Sequence, residues 1–243
     1  MIRKIEGIVV SEVDYKESSK IINILSPTDG VVGILARGTK KIKSNLSSVT
    51  SKLTYGYFHV NYKDNGLSTL IEVDVIDSFK KIRQNIDLIS YASYILELAN
   101  MVYKHDNNRM IYDLLISSLK KINEGYDYEV ITSILELKLL EFLGIMPVID
   151  RCVSCGNKMD IITISSYKGG YLCKKCLGDD VIVDIKTIKL LRMFSLVDID
   201  KISKLDVSIK VKDEITRFID DYYDRYSGLY LKTKEFLKNL KNI

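Results

Sequence analysis

All four cysteines of the chain fall into two pairs, Cys152-x2-Cys155 and Cys173-x2-Cys176, with 17 residues between the pairs. That spacing lies in the range of tetrahedral zinc sites, because a two-residue gap lets a tight turn aim both thiolates at one ion. Gly156 and Gly178, each just after a pair, suit such turns. Two disulfides or four buried thiols are the other fates open to four cysteines, but neither needs every cysteine to sit in this pattern. Four thiolates close the coordination sphere and leave no position for water or substrate, so one structural Zn²⁺ is expected, held by Cys152, Cys155, Cys173 and Cys176. Residues 151–178 carry few apolar side chains, so the ion is expected to fold them, and chelation to destabilise the protein locally or wholly.

The flanking sequence follows two different periods. Residues 5–10, 21–25, 31–36, 53–62 and 69–76 are short runs rich in Ile, Val and Tyr and read as five strands. Ser26-Pro27-Thr28-Asp29-Gly30 and Asp64-Asn65-Gly66 are strong turn sequences, so the second and third strands, and the fourth and fifth, read as antiparallel hairpins. Five short strands in under 80 residues suit a small closed barrel such as an OB-fold, with an open five-stranded sheet as the alternative.

After Asp77 the period is helical, with apolar positions over 86–102, 110–119 and 128–142. In the third of these, Ile131, Ile134, Leu135, Leu139, Leu140 and Leu143 recur at three and four, and Gly144 with Pro147 stops the pattern. Helical patterns return near 187–197, 211–226 and 233–240, so the cysteine segment is an insert between helices. The expected fold class is α+β: an N-terminal five-stranded barrel over residues 1–80, a helical domain over 81–150 and 179–243, and a four-cysteine zinc module over 151–178.

With 47% hydrophobic and 28% charged residues, the 243-residue chain has enough apolar surface for such cores and too little bias for disorder. Only Pro27 and Pro147 occur, so no Pro-rich linker separates the parts. No apolar run approaches the ~18 residues that span a bilayer, and Met1-Ile2-Arg3-Lys4-Ile5-Glu6-Gly7 has no apolar signal core, which predicts a cytoplasmic location without membrane contact.

The formal charge of +4 permits contact with phosphates without demanding it, so the placement of charge matters more than its sum. Arg37-Gly38-Thr39-Lys40-Lys41-Ile42-Lys43 holds four cations in seven residues and no acid. It reads as an exposed loop beside the barrel, placed to meet a phosphate backbone, with Gly38 and Thr39 as further donors. A solvated charge run is the plain alternative. In the fourth strand Tyr55, Tyr57 and His59 share one face and Phe58, Val60 and Tyr62 the other; if the second set is core, the first offers rings for bases to stack on. Further basic clusters are Arg151, Lys158, Lys168, Lys174 and Lys175 around the cysteines and Lys232, Lys234, Lys238 and Lys241 at the end.

No catalytic residue is expected. His59 and His105 lack a nearby acid and nucleophile in a recognised arrangement, and Asp179-Asp180 and Asp220-Asp221 read as solvated helix-end or loop charge. Phosphate-binding, dinucleotide-binding and common hydrolase motifs are missing from the sequence. An RNA-binding or transcription factor with a zinc ribbon would share the same modules, and a nuclease would need a carboxylate or histidine cluster that the sequence does not offer.

In order and spacing, several segments resemble the RecO family of bacterial DNA repair proteins. They are Gly7-Ile8-Val9-Val10, Tyr15-Lys16-Glu17-Ser18-Ser19-Lys20-Ile21, Ser26-Pro27-Thr28-Asp29-Gly30 and Ala36-Arg37-Gly38-Thr39-Lys40-Lys41 at the start. Glu136-Leu137-Lys138-Leu139-Leu140, Leu143-Gly144-Ile145-Met146-Pro147, Cys152-Val153-Ser154-Cys155-Gly156, Gly169-Gly170-Tyr171-Leu172-Cys173-Lys174-Lys175-Cys176 and Leu231-Lys232-Thr233-Lys234-Glu235-Phe236-Leu237 follow. The resemblance implies a recombination mediator with an OB-fold, a helical domain and a zinc element. It implies that the chain binds single- and double-stranded DNA, anneals complementary strands, and works with RecR to let RecA replace the single-strand-binding protein, without nucleotide hydrolysis, in the cytoplasm at the nucleoid. By motif it maps DNA contacts to Arg37, Lys40 and Lys41, with Lys20 and Lys43 beside them. Thr39-Lys40-Lys41 stands where arginines are frequent, which implies a looser and less bidentate hold on phosphate.

Overall fold

The computed structural model describes residues 1–40, 44 and 46–240. Strands β1 (Ile2–Tyr15), β2 (Ser19–Ser26), β3 (Gly30–Ala36), β4 (Tyr55–Asn61) and β5 (Ser68–Asp77) close into a barrel in the order β1-β2-β3-β5-β4, with the four-residue helix α1 (Leu46–Val49) between β3 and β4. Every pairing is antiparallel except β3 with β5, which meet in parallel over Ile34↔Ser68 and Leu35↔Thr69. Both expected hairpins form, and closure decides against the open sheet.

The two apolar runs at the start of the chain are nearly continuous because their strands are buried on both faces. Ile5, Val9, Ile22 and Ile24 point into the barrel with Phe58 and Val60. Ile8, Val10 and Leu25 point outward and join the core of the helical part. β1 extends well beyond the expected 5–10, because the apolar run marks only its buried middle while the backbone ladder continues at both ends. Its first half pairs with β4 and its second half with β2, and a bulge between Val9 and Ser11 bends it from one partner to the other. At the crossing Gly7 lies opposite Gly56; a Cβ on Gly56 would stand 2.5 Å from the Asp74 carbonyl oxygen, so only glycine lets β4 and β5 come this close.

β4 begins at Tyr55 rather than at residue 53. Leu53 takes a left-handed conformation (φ 71°), and its buried side chain joins the helical core. Tyr55 turns the same way: it is buried, and its hydroxyl donates to Glu6 Oε1 at 2.8 Å. Tyr55 is therefore a joint between barrel and helices and not a stacking platform. Tyr57 carries the Lys4 ammonium 4.3 Å from its ring centroid, and His59 Nε2 lies 2.9 Å from Asp74 Oδ2, so this histidine does have an acid beside it.

Helices α2 (Lys80–Arg83), α3 (Ile86–His105), α4 (Arg109–Glu124) and α5 (Tyr128–Phe142) follow, then the hairpin β6 (Ile161–Ser165) and β7 (Gly170–Cys173), then α6 (Ile185–Leu196), α7 (Ile209–Tyr226) and α8 (Lys232–Leu240). Asn85, Asn108 and Asp127 cap α3, α4 and α5 by accepting from the first free backbone N–H groups. α5 runs over the span its periodicity predicts and ends where Ile145 N donates to the Leu140 carbonyl, with Gly144 at φ 69°. It is buried almost all round. Even Glu136 is covered, accepting from the Tyr94 hydroxyl at 2.5 Å, and burial next to this carboxylate pushes Tyr94 well above the ordinary tyrosine range.

Barrel and helices meet at a tight joint. Arg83 donates from Nε to the Ser78 carbonyl at 2.6 Å and from Nη2 to the Lys52 carbonyl at 2.7 Å, while Phe79 beside them is fully buried in the helical core. Asp220 lies within α7, not at a helix end, and with Asp224 it pairs with Lys234 of α8, at 3.1 and 3.6 Å. Lys234 is thus a buried tether rather than a free cation of the terminal cluster. Among the described residues no helix is long and apolar enough to cross a membrane.

Candidate metal centre and basic rim of the barrel

The cysteine module is a pair of turns set on the β6–β7 hairpin. In the first, Gly156 N donates to the Cys152 carbonyl at 2.9 Å with Gly156 at φ 75°, and Cys152 N donates to the Asn157 carbonyl at 2.7 Å. The second is one turn of 3₁₀ helix over Lys174–Cys176, whose Lys174 N donates to the Asp160 carbonyl. Val153 N bonds the Tyr171 carbonyl, which ties the first turn to β7. β7 in turn is anchored to the helices: Val148 pairs with Gly170, where a Cβ would collide with the Val148 carbonyl, and the buried Tyr171 hydroxyl donates to the Ile188 carbonyl of α6.

These turns bring the four Sγ atoms within 4.8 Å of one another, a cluster that could hold a metal ion. Cys155 and Cys173 are 3.6 Å apart, far beyond a disulfide bond, and all four cysteines are free thiols. A tetrahedron with Zn–S bonds of about 2.3 Å has edges of about 3.8 Å, so the donor set matches such an ion in both kind and size. Burial raises the Cys152 thiol, yet donation from the backbone N–H groups of Cys173, Cys155 and Ser154 outweighs it and brings Cys152 down to about 6. Cys176, hydrogen-bonded to the sulfurs of Cys155 and Cys173, is pushed up to about 12. Without a cation among them, neighbouring sulfurs cannot all ionise.

The barrel's basic loop starts directly after β3. Arg37 is exposed and makes no ion pair among the described residues. Gly38 has φ 70°, and Lys40 N returns to the Ser18 carbonyl at 3.2 Å, which folds the loop back on the β1–β2 turn. Consequently Thr39 is fully buried, and its hydroxyl has no partner among the described residues; it is not the solvent-facing donor expected. Lys40 Nζ lies 2.5 Å from Asp14 Oδ2 and Lys20 Nζ 2.7 Å from Glu12 Oε2. Lys41 and Lys43 lie outside the described residues, as do the side chain of Lys238 and all of Lys241.

Between the β1–β2 turn and this loop lies an open cleft of about 580 Å³, lined by Tyr15, Lys16, Ser18, Ser19, Leu35, Arg37 and Gly38. Apart from Arg37 and Gly38, none of these was marked in the sequence as a phosphate contact, because the turn residues carry no charge run and meet Arg37 only when the barrel closes. Around the cysteines, Lys158, Lys174 and Lys175 are exposed without an ion pair among the described residues, whereas Lys168 pairs with Asp180 at 3.6 Å and Arg151 with Asp150 at 3.2 Å.

A family model described as Recombination protein O N terminal matches residues 1–79, and one described as Recombination protein O C terminal matches residues 83–235. Among curated relatives, the DNA repair protein RecO of Listeria monocytogenes serotype 4b is 38% identical over 241 residues, covering 98% of this chain and 94% of that protein. The DNA repair proteins RecO of Bacillus pumilus and Halalkalibacterium halodurans are each 36% identical over 247 residues, covering all of this chain and 96% and 97% of theirs.

Proposed function

The chain belongs to the RecO family of DNA repair and recombination proteins, and from that premise we propose that it is a recombination mediator. In this reading it binds single- and double-stranded DNA, anneals complementary strands and, with RecR, helps RecA load onto DNA coated by single-strand-binding protein. Residues 1–80 are its DNA-binding domain, with contacts from Arg37, Lys40, Lys41, Lys43 and Lys20. The observation that carries this reading is the pairing of full-length family similarity with a closed barrel whose rim exposes Arg37. Cations on such a rim meet backbone phosphates and read little base identity, so two strands can be held close with their repulsion lowered. Annealing then follows from base pairing, without catalysis by the protein or nucleotide hydrolysis.

Cys152, Cys155, Cys173 and Cys176 hold one Zn²⁺ in this reading. Bound there, the ion neutralises the thiolates and locks the two turns together; with four protein ligands it offers no position to a substrate. The test is an annealing assay on complementary strands coated by single-strand-binding protein, with and without the chain. Faster annealing without added nucleotide is expected. Unchanged annealing, or tight binding of RNA with none of DNA, would overturn the proposal in favour of an RNA-binding factor.

A further inference from the structure

Two of the cations mapped to DNA already have anionic partners: Glu12 holds Lys20 and Asp14 holds Lys40. A phosphate arriving at either lysine must displace a carboxylate, and the exchange of one anion for another gains little. Arg37 and Lys16 differ. Neither forms an ion pair among the described residues, and both line the cleft between the β1–β2 turn and the loop after β3. The side chains of Ser18 and Ser19 share that cleft and have no hydrogen-bond partner among the described residues. At about 580 Å³ the space lies within the ~300–1,000 Å³ usual for ligand sites.

The cleft also has a flat wall. The exposed ring of Tyr15 borders it, and the Lys16 ammonium lies 5.4 Å from the ring centroid. The ammonium sits over the ring, so a cation suited to a phosphate and an exposed aromatic ring suited to a base border the same cleft. Lys16 reaches this position through a left-handed backbone (φ 54°), a conformation that L-residues rarely adopt.

Resting on the DNA-binding reading above, we propose that this cleft is a subsite for single-stranded DNA. Arg37 and Lys16 take one phosphodiester, Ser18 and Ser19 add neutral donors to its oxygens, and the adjacent base lies on Tyr15. The guanidinium fork presents paired N–H groups to phosphate oxygens, and stacking on a ring tolerates any base, so the subsite grips without reading sequence. Lys20 and Lys40 are secondary contacts, held back by Glu12 and Asp14.

The chain contains no tryptophan, so Tyr15→Trp in the full-length protein places a sole reporter in the cleft. Titration with an oligothymidylate should quench its emission saturably, in step with the anisotropy of a labelled strand. Arg37→Ala with Lys16→Ala should weaken binding about tenfold at ~100 mM salt and flatten the slope of log affinity against log salt by about 0.7. Lys20→Ala with Lys40→Ala should also weaken binding, but by less than the Arg37/Lys16 variant, because Glu12 and Asp14 already hold those two ammonium groups. All these side chains lie at the surface, and circular dichroism melts verify that each variant is folded. Absent quenching, or an unchanged slope in the Arg37/Lys16 variant of a chain that binds the strand, overturns the subsite alone. A wild-type chain that binds no strand at ~50 mM salt overturns the DNA-binding reading and the subsite together.

Discussion

Inside the barrel, Phe58, Val60, Ile22 and Ile24 are fully buried and every strand is paired round a closed ring, whereas the cysteine module buries in its own cluster only Leu172 with Cys152 and Cys173. The barrel is held by its interior and leaves its rim free for charges such as Arg37. That cluster is too small to hold the module by itself, so the cysteines must do the holding, and two of its larger apolar side chains, Tyr171 and Ile164, join the helical core instead. A region with a core can give its surface to binding; a region without one commits its cysteines to staying folded.

The sharpest way to break this contrast is to strip the cysteines of the metal they are proposed to hold. Chelation, or Cys173→Ser, should abolish amide-exchange protection across both cysteine turns while β1 to β5 stay protected, because zinc binding in small sites is worth roughly 10–16 kcal/mol of folding and the barrel has no ligand in it. Parallel loss of protection in the barrel would show that the two regions are one cooperative unit. Phe58→Ala is the converse: a cavity in the barrel core should cost about 3–5 kcal/mol in denaturant unfolding while the purified variant keeps one equivalent of zinc.

A smaller effect follows from proton competition for the sulfurs. Cys152, held at about 6, is already a thiolate at neutral pH, whereas Cys176, pushed up to about 12, must give up its proton when the metal binds. Zinc affinity should therefore rise with pH between about 6.5 and 8, by up to about tenfold per unit for each thiol still protonated, with proton release measurable in weakly buffered solution. Affinity flat across that range would mean that all four sulfurs are ionised before the metal arrives. Smallest of all, Asp14→Asn should shift barrel stability by no more than ~0.2–1 kcal/mol, since the Lys40–Asp14 pair is largely solvent-exposed. A larger loss, read from the melting curve, would make that pair part of the barrel's framework.

Much of this was legible in the residues. α5 carried its own boundaries in its apolar spacing, its Asp127 cap and Gly144; the cysteine pairs announced a cluster that could hold a metal ion; the turns around Gly30 and Gly66 marked the hairpins. Other positions misled for a common reason. Thr39 reads as a solvent-facing donor, Lys234 as a free terminal cation and Tyr55 as a stacking ring, yet each is covered by a segment distant in the chain: Thr39 by the loop's return to Ser18, Lys234 by α7, Tyr55 by the helices.

Local periodicity and spacing by themselves determined the strands, the helices and the cysteine quartet, because those patterns are set by neighbours a few residues apart. Which cation is free was decided only by tertiary structure. Asp14 meets Lys40 across 26 positions, and Arg37 shares a cleft with Lys16, because the bulged β1 and the closing of the barrel bring the β1–β2 turn against the loop after β3. Charge pairing depends on distance in space, and the linear order of residues does not contain it.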